Sequence, residues 1–275
     1  MESKQYWSMT EGAFNCLLDQ GRTRAFANAI RRTVRPGDVV ADLGAGTGVL
    51  SMIAAQAGAS KVFAVESDPR NVRTLQHTFA TNRLNQIEVI RGDATTCRLP
   101  EKVDVIICEM VATALIEELQ VPAMNNAHRY LKKGGRVVLR KMRSFVELVC
   151  SRERFYGFRF PIIRYEYSDF PELRATSLTK KHLIGAIDFA HRVESDAVNF
   201  SECIHVKRAG RANALRISGE TEFWDGSHLG GSFAYSYPIV LPLTKPIRVR
   251  LGEAVCINLS YRLCGGFESL QWRAS

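Results

Sequence analysis

The stretch Asp38-Val-Val-Ala-Asp-Leu-Gly-Ala-Gly-Thr-Gly-Val-Leu50 decides the fold of this chain. A β-branched apolar run ends in an aspartate, three glycines alternate with small residues, and a second apolar run follows. This order predicts a strand, a tight turn and a helix, with which open α/β sheets bind nucleotide-like ligands at the carboxyl end of a strand. Glycine allows a sharp bend and a close approach of backbone to ligand, where any Cβ would collide.

The spacing within residues 44–48, the glycine turn, indicates which ligand binds there. A dinucleotide-binding turn continues with glycine or alanine at the position that Val49 occupies, and the Gly-Lys-Ser/Thr sequence of a P-loop is missing. Instead, Asp42 stands two residues before the first glycine. A second acid, Glu66, ends the next predicted strand 22 positions after Gly44, where a carboxylate would accept hydrogen bonds from both ribose hydroxyls.

This pattern resembles motif I of the class I S-adenosylmethionine (SAM) methyltransferases, in which glycine backbone contacts the methionine part of the cofactor. The resemblance implies SAM as cofactor and S-adenosylhomocysteine as product, with no metal. A dehydrogenase turn and a purely structural turn are the alternatives. The residues predicted to bind the cofactor are Arg22, Asp42, Gly44, Gly46, Gly48, Glu66, Asp93, Ala94 and Glu109.

Two of these predictions concern the ends of the cofactor. Arg22 lies on a predicted helix over residues 12–33, which Gly21 interrupts, and its guanidinium could pair with the methionine carboxylate; the alternative is an ordinary surface arginine. In this fold, the turn that holds Asp93 and Ala94 lies beside the adenine. The Asp93 carboxylate or the neighbouring backbone could accept a hydrogen bond from the exocyclic amine.

Composition limits the class of protein. The 275 residues are 46% hydrophobic, enough for a Rossmann-like domain and a second domain of similar size. The formal charge of +9 favours acidic partners, but the basic residues form no run of five or six. No apolar run of about 18 residues and no basic-then-apolar start occur, so we expect a cytoplasmic protein without a membrane span. The seven cysteines form no Cys-x-x-Cys pair and are predicted to be reduced, mostly buried thiols.

The pattern of elements changes near Lys141. Residues 1–141 alternate predicted strands and helices, which indicates N-terminal helices and a Rossmann-like SAM-binding domain. Residues 142–275 predict consecutive short strands, including 214–223 and 232–241, which is typical of an antiparallel β-barrel or sandwich. A mixed insertion over residues 160–184 interrupts them.

Two glutamates are the candidate catalytic residues. Glu109 follows the buried strand predicted over Val103–Cys108, at the edge where catalytic residues of α/β folds collect. Glu118 comes nine residues later, in a predicted helix that breaks at Pro122. Two carboxylates facing one crevice could grip a guanidinium and orient one nitrogen towards the SAM methyl. The alternative is that Glu117 and Glu118 are solvated helix residues.

Over nearly its whole length the sequence resembles the protein arginine N-methyltransferases. Leu18-Asp-Gln-Gly-Arg-Thr23 is similar to their helix ahead of motif I, and Val103-Asp-Val-Ile-Ile-Cys-Glu109 to the strand entering their double-glutamate loop. The resemblance implies methyl transfer to a guanidinium or other nitrogen of a protein or peptide, with Glu109 and Glu118 as catalytic residues. It also implies a substrate-binding barrel and a homodimer formed through an arm over residues 160–184.

The sequence departs from this family close to the chemistry. Where the family has Trp-Met-Gly-Tyr after the first glutamate, this chain has Met110-Val-Ala-Thr113, and the region of the family's Thr-His-Trp loop, residues 234–238, contains no histidine. Only Tyr6-Trp7 resembles the aromatic N-terminal lid. These departures leave open an acceptor in RNA or a small molecule, or a non-catalytic partner subunit that keeps the SAM fold.

Overall fold

The computed structural model describes residues 12–232 and 234–275, so Tyr6-Trp7 lies outside the described residues. Its first half is a five-stranded parallel sheet of order β3-β2-β1-β4-β5, flanked by helices. The elements in chain order are α1 (Gly12–Leu18), α2 (Gln20–Thr33), β1 (Val39–Leu43), α3 (Val49–Gln56), β2 (Lys61–Glu66), α4 (Pro69–Thr81), β3 (Ile87–Arg91), β4 (Val103–Cys108), α5 (Gln120–Ala127) and β5 (Leu131–Val137).

The order of the parallel strands places the candidate site. Strand order reverses between β1 and β4, which pair in parallel with Leu43 opposite Cys108. Each strand therefore ends at the same level, and the glycine turn and Glu109 leave the sheet side by side. A crevice at such a reversal is where open α/β sheets bind ligands.

The second half is antiparallel. A seven-stranded sheet runs β10-β6-β13-β15-β9, with β11 also on β6 and β14 also on β13, and a three-stranded sheet runs β12-β16-β17. The strands are β6 (Leu139–Cys150), β7 (Arg154–Phe155), β8 (Phe158–Arg159), β9 (Arg164–Tyr165), β10 (Thr176–Ser177), β11 (His182–Asp188), β12 (Ala197–His205), β13 (Gly210–Phe223), β14 (His228–Leu229), β15 (Ile239–Val249), β16 (Ala254–Arg262) and β17 (Gln271–Ala274). The predicted fold class, a Rossmann-like domain followed by an antiparallel β domain, is confirmed.

The two halves share one apolar core. Phe26 of α2 is fully buried and makes edge contacts with Phe223 and Tyr235, at ring-centroid distances of 4.9 and 5.9 Å. The helix that carries Arg22 is thus fixed on the antiparallel sheet as well as on the parallel one. Within the described part of the chain, no helix combines the length and the apolar character that a membrane crossing requires.

The helix predicted over residues 12–33 is broken at Asp19 rather than at Gly21. The Asp19 side chain caps α2 by accepting a hydrogen bond from Arg22 N at 2.9 Å. An aspartate before a helix is a strong N-cap, whereas Gly21 lies within the first turn, where glycine costs little. The prediction overlooked the capping chemistry of Asp19.

The predicted helix carrying Glu117 and Glu118 is also wrong. Both residues lie in the loop before α5, which begins at Gln120, and Pro122 stands in the first turn of α5, where the missing N–H has no partner to lose. The loop instead has left-handed backbone at Ala114 (φ 55°) and Leu115 (φ 56°), which costs energy for non-glycine residues.

Two predictions for the second half need correction. The strand predicted over 232–241 begins only at Ile239, and residues 232–238 form a loop whose described part includes one isolated bridge. The cysteines are not all free thiols: Cys203 of β12 and Cys256 of β16 are directly opposite each other and form a disulfide. Their separation of 53 residues along the chain hid this pairing from the sequence.

Candidate active site

The glycine turn is fixed by bonds to the neighbouring strand. Gly44 N and Ala45 N donate to Val65 O at 3.0 and 2.9 Å, and Gly46 N donates to the Glu66 carboxylate at 3.0 Å. Gly44 and Gly46 have φ of 72° and 54°, so a side chain there would be strained. The turn therefore holds bare backbone at the carboxyl edge of β1, as the sequence predicted.

Gly48 has a different reason to be glycine. It is the N-cap of α3 with φ 80°, and a Cβ there would lie 2.6 Å from side-chain atoms of Leu75 and Phe79. Close packing of α3 against α4 is therefore sufficient to require a glycine at this position. Its predicted role as a cofactor-binding residue stays a prediction.

The two predicted acids beside the turn are both engaged with protein groups. Asp42 is buried and accepts a hydrogen bond from Ser51 Oγ at 2.6 Å, which ties the end of β1 to α3; burial raises its pKa to about 6. The second Glu66 oxygen accepts from Asp68 N at 2.9 Å. Asp42 therefore shapes the turn, while Glu66 holds it from the β2 side.

Arg22 is buried and contacts Glu109, one of the two catalytic candidates. It is 4% exposed, its Nη2 forms an ion pair with Glu109, and its Nη1 donates to Cys16 O at 3.3 Å. Among the described residues, no group accepts a hydrogen bond from Arg22 Nε. A buried guanidinium with an unused donor is suited to bind an anionic group of a ligand. The alternative of an ordinary surface arginine is wrong.

Glu118 belongs to the same electrostatic group. Burial, and then the neighbouring Glu117 carboxylate, raise its pKa to about 7, although the Arg22 guanidinium acts in the opposite direction. Arg22 therefore pairs with one predicted catalytic glutamate and acts on the other. Glu118 lies in a loop rather than in a helix, and that both glutamates face the crevice stays a prediction.

The adenine-side predictions lie in a compact turn. The Asp93 carboxylate accepts hydrogen bonds from Thr95 N and Thr95 Oγ1, at 2.8 and 2.7 Å. Ala94 is buried, and its carbonyl accepts from Asn126 Nδ2 at 3.0 Å. The Asp93 side chain thus stabilises its own turn, and its predicted contact with adenine stays a prediction.

Sequence reasoning missed Gln120, which fixes the backbone on both sides of Glu109. Its side chain is fully buried, donates from Nε2 to Cys108 O at 3.0 Å and accepts from Met110 N at 2.9 Å. A buried glutamine is uncommon and is retained where its amide satisfies backbone groups. Its position in the helix predicted before Pro122 gave no signal of this role.

The antiparallel domain holds the glutamate loop from the opposite side. Thr113 Oγ1 donates to Tyr237 O, Cys264 N donates to Leu115 O at 2.7 Å, and Gly266 N donates to Ile116 O at 2.8 Å. These bonds account for the strained backbone at Ala114 and Leu115, because surrounding structure must fix such conformations.

Asp19 holds the loop over residues 232–238, where the sequence lacks the expected histidine. Besides capping α2, its carboxylate accepts hydrogen bonds from Ser232 Oγ at 2.6 Å and from Ala234 N at 2.8 Å. A serine and a backbone amide therefore connect this loop to the helix of Arg22. The loop remains anchored to the crevice without a histidine.

Comparison with known proteins gives the family. A model of the ribosomal protein L11 methyltransferase (PrmA) family matches residues 21–141. An uncharacterized protein of Methanocaldococcus jannaschii is 33% identical over 94% of both chains. The arginine N(omega)-methyltransferase of Streptomyces achromogenes is 26% identical over 90% of this chain and 75% of its own.

Protein arginine methyltransferases match by sequence and by structure. The probable protein arginine N-methyltransferase 6.1 of Oryza sativa is 33% identical over 51% of this chain, but this match spans only 38% of its own length. The Trypanosoma brucei protein arginine methyltransferase 1 enzyme-prozyme complex with S-adenosylhomocysteine has a TM-score of 0.74 at 21% identity, covering 95% and 96% of the two chains. The chain therefore belongs to one family with the Methanocaldococcus jannaschii protein, and it is a class I SAM-dependent methyltransferase that resembles the protein arginine N-methyltransferases.

Proposed function

We propose that the enzyme methylates a nitrogen of an arginine-type guanidinium held by Glu109 and Glu118. The observation that carries the proposal is the buried Arg22, which pairs with Glu109 and acts electrostatically on Glu118. One guanidinium, that of Arg22, already lies against the Glu109 carboxylate. An acceptor guanidinium would add a second cation to this group. The two carboxylates would then be neutralised by one cation from the protein and one from the substrate.

The residues around the glycine turn fit SAM. The turn has positive φ at Gly44 and Gly46 and would bring backbone close to the ligand, and the unused Nε of buried Arg22 is a donor for the methionine carboxylate. Glu66 lies at the end of β2, where we propose that it accepts the ribose hydroxyls. When bound, SAM would supply a sulfonium methyl group: the lone pair of the acceptor nitrogen would form the new N–C bond in line as the C–S bond breaks and its electron pair goes to sulfur.

The two glutamates would make the acceptor nitrogen nucleophilic. The positive charge of a guanidinium is delocalised and its pKa is above about 12, so its nitrogens attack poorly. Carboxylates bound to the other nitrogens would localise the charge there and leave lone-pair density on the attacking one. After transfer the methylated nitrogen releases a proton, and a Glu118 carboxylate oxygen with a pKa near 7 can accept it.

A free amino acid is the second candidate acceptor. The arginine N(omega)-methyltransferase relative matches across both halves of this chain, whereas the Oryza sativa protein matches over 51% of it. The same pair of glutamates would serve either acceptor, because the guanidinium is the same. The space available outside the crevice would then decide whether a peptide or free arginine is the acceptor.

An acceptor panel tests this proposal. Purified enzyme with SAM labelled on its methyl group would be given arginine peptides, free arginine, total RNA and a small-molecule extract. We expect label as methylarginine, after acid hydrolysis, in the first or second sample. Label confined to RNA or to compounds without a guanidinium would overturn the assignment.

We also propose the domain division near Lys141 and a homodimer. The last parallel strand ends at Val137 and β6 begins at Leu139, which supports the division. Exposed Phe170, and Tyr156 and Phe158 just before the predicted arm, support a contact with a second copy. A sedimentation measurement at tens of micromolar that gives only monomer would contradict the dimer.

A further inference from the structure

Four aromatic rings from three segments meet beside the glutamate loop, and the proposed chemistry does not use them. Tyr165 lies 6.0 Å from Tyr167, 6.4 Å from Tyr237 and 6.1 Å from Phe267, and Tyr167 lies 4.8 Å from Tyr237, all between ring centroids. We call these four residues the aromatic cluster. Tyr165 and Tyr167 were predicted as part of a dimer arm, yet here they pack within their own chain.

Glu117 connects the aromatic cluster to the catalytic candidates. The Tyr165 hydroxyl donates to the Glu117 carboxylate, and Glu117 is exposed, next to Glu118 in sequence. Burial and the hydrogen bond to Glu117 raise the pKa of Tyr165, so its hydroxyl remains a donor. This hydrogen bond orients the Glu117 carboxylate at the edge of the aromatic cluster, although Glu117 is not one of the two catalytic candidates, Glu109 and Glu118.

Carboxylates lie near the aromatic cluster, and in the described part of the chain no cation lies over its ring faces. The Arg164 guanidinium donates to the Tyr165 carbonyl oxygen at 3.3 Å. Burial, and then the carboxylates of Asp169 and Asp19, raise the pKa of Tyr237 to about 12, so both carboxylates act on this ring. Six other rings in the described part of the chain have a lysine or arginine above them, but none of the four cluster rings does. Tyrosine faces with nearby carboxylates attract cations.

We propose that Glu117 and the aromatic cluster form an outer subsite that binds a second cationic group of the acceptor. The inference rests on the proposed function, because it assumes that a first cation enters between Glu109 and Glu118. The second cation would lie over a tyrosine face and pair with Glu117. It would come either from a basic side chain next to the methylated residue or from the α-ammonium of free arginine.

Two pairs of acceptors separate these sources. The first pair is a capped tripeptide Gly-Arg-Gly and the same peptide with lysine replacing the last glycine. The second pair is free arginine and Nα-acetylarginine, which keeps the carboxylate but lacks the α-ammonium. Each pair keeps the guanidinium and differs at the outer cation, so the ratio of kcat/KM within a pair measures the subsite.

In one of the two pairs, we expect kcat/KM to be about tenfold higher for the acceptor that carries the outer cation. This is the effect of one partly exposed cation–carboxylate contact together with a cation–π contact. Glu117→Gln and Tyr167→Ala should each bring that ratio close to one, and raised salt should reduce it. Glu172→Gln is the matched control, since it removes one exposed carboxylate from the neighbouring segment and should keep the ratio.

The outcomes distinguish this inference from the proposed function. If guanidinium acceptors are methylated but neither pair shows a preference, or if Glu117→Gln keeps the preference, the outer subsite is wrong and the catalytic pair stands. If no guanidinium acceptor is methylated, the proposed function itself fails. Tyr165→Phe adds a check that keeps the ring: it should weaken the preference, because Glu117 loses the donor that directs it.

Discussion

The cofactor side and the acceptor side of the crevice are assembled from residues at very different distances along the chain. On the cofactor side, Ser51 bonds Asp42 across nine positions and Gly46 bonds Glu66 across 20. On the acceptor side, Arg22 pairs with Glu109 across 87 positions, and Thr113 bonds the Tyr237 carbonyl across 124.

Because of this difference, we expect substitutions to affect the two sides of the crevice differently. A strand, a turn and a helix that follow one another fix the glycine turn locally, so this part of the cofactor side should tolerate changes in the antiparallel domain. The acceptor side depends on the packing of both halves, because its glutamate loop is held from the parallel sheet by Gln120 and from the antiparallel domain by Cys264 and Gly266. Substitutions on one side should therefore leave the function of the other side largely intact.

Gly46→Val should have the largest effect, on the cofactor side alone. A branched side chain at φ 54° would be strained and would fill space that we assign to the ligand. We expect calorimetry to detect no SAM binding. Gly134→Val is the matched control, since Gly134 has φ 76° and open space around its Cβ position. Wild-type affinity in Gly46→Val would contradict the cofactor site.

Glu109→Gln should separate the two sides. The neutral amide cannot neutralise the acceptor guanidinium, and a charge-assisted hydrogen bond in a closed site is worth a few kcal/mol, so transfer should fall by about 10² or more. SAM affinity should change by only a few fold. Equal losses of SAM binding and transfer would show that the two sides are not independent.

Gly48→Ala should affect stability rather than chemistry. The new Cβ would overlap Leu75 and Phe79, and we expect the free energy of unfolding to fall by about 2–4 kcal/mol from overpacking and left-handed strain. Gly37→Ala provides the comparison, because Gly37 has φ 91° and no atoms nearby. Denaturant titration measures both, and similar losses would show that packing is not the reason for Gly48.

Asp19→Ala should reduce transfer more than SAM binding. The variant loses the N-cap of α2, worth about 1 kcal/mol, and frees the loop over 232–238 from the helix of Arg22. Asp68→Ala removes the same kind of cap from α4. If both variants lose stability equally and neither loses additional transfer activity, Asp19 has no role beyond capping.

The pH dependence should follow Glu118. Its carboxylate must be ionised to hold a guanidinium, so kcat/KM should rise about tenfold per unit up to pH 7 and then level off. Its raised pKa contributes stability below pH 4.5 that is lost as pH rises through 7. Because the Glu117 charge raises this pKa, Glu117→Gln should shift the rise to lower pH. A rate that is flat between pH 6 and 8 would contradict this role.

The sequence was sufficient to predict the strands and the turn on the cofactor side, because each signal for them is local. Alternating glycines, an acid before them and an acid ending the next strand predict the strand, the turn and the second strand. β4 has the predicted bounds, since an uninterrupted apolar run is typical of a buried parallel strand.

The sequence was insufficient where distant segments decide the conformation. The loop of Glu117 and Glu118 is bent by bonds to residues more than 100 positions away, so local helix propensity misled the prediction. Gln120 acquires its role only when α5 packs against the end of β4, and the aromatic cluster forms only when distant segments of the antiparallel half meet. The Cys203–Cys256 pair is visible only once β12 and β16 are in register.

Whether Glu109 and Glu118 hold a guanidinium can be measured by comparing the binding of an arginine peptide with that of its citrulline counterpart. Citrulline has nearly the same shape but no charge, so with S-adenosylhomocysteine present the arginine peptide should bind at least about tenfold more tightly. The preference should be lost in Glu118→Gln, while S-adenosylhomocysteine binding is retained. Equal affinity of the wild-type enzyme for the two peptides would contradict a guanidinium held by Glu109 and Glu118.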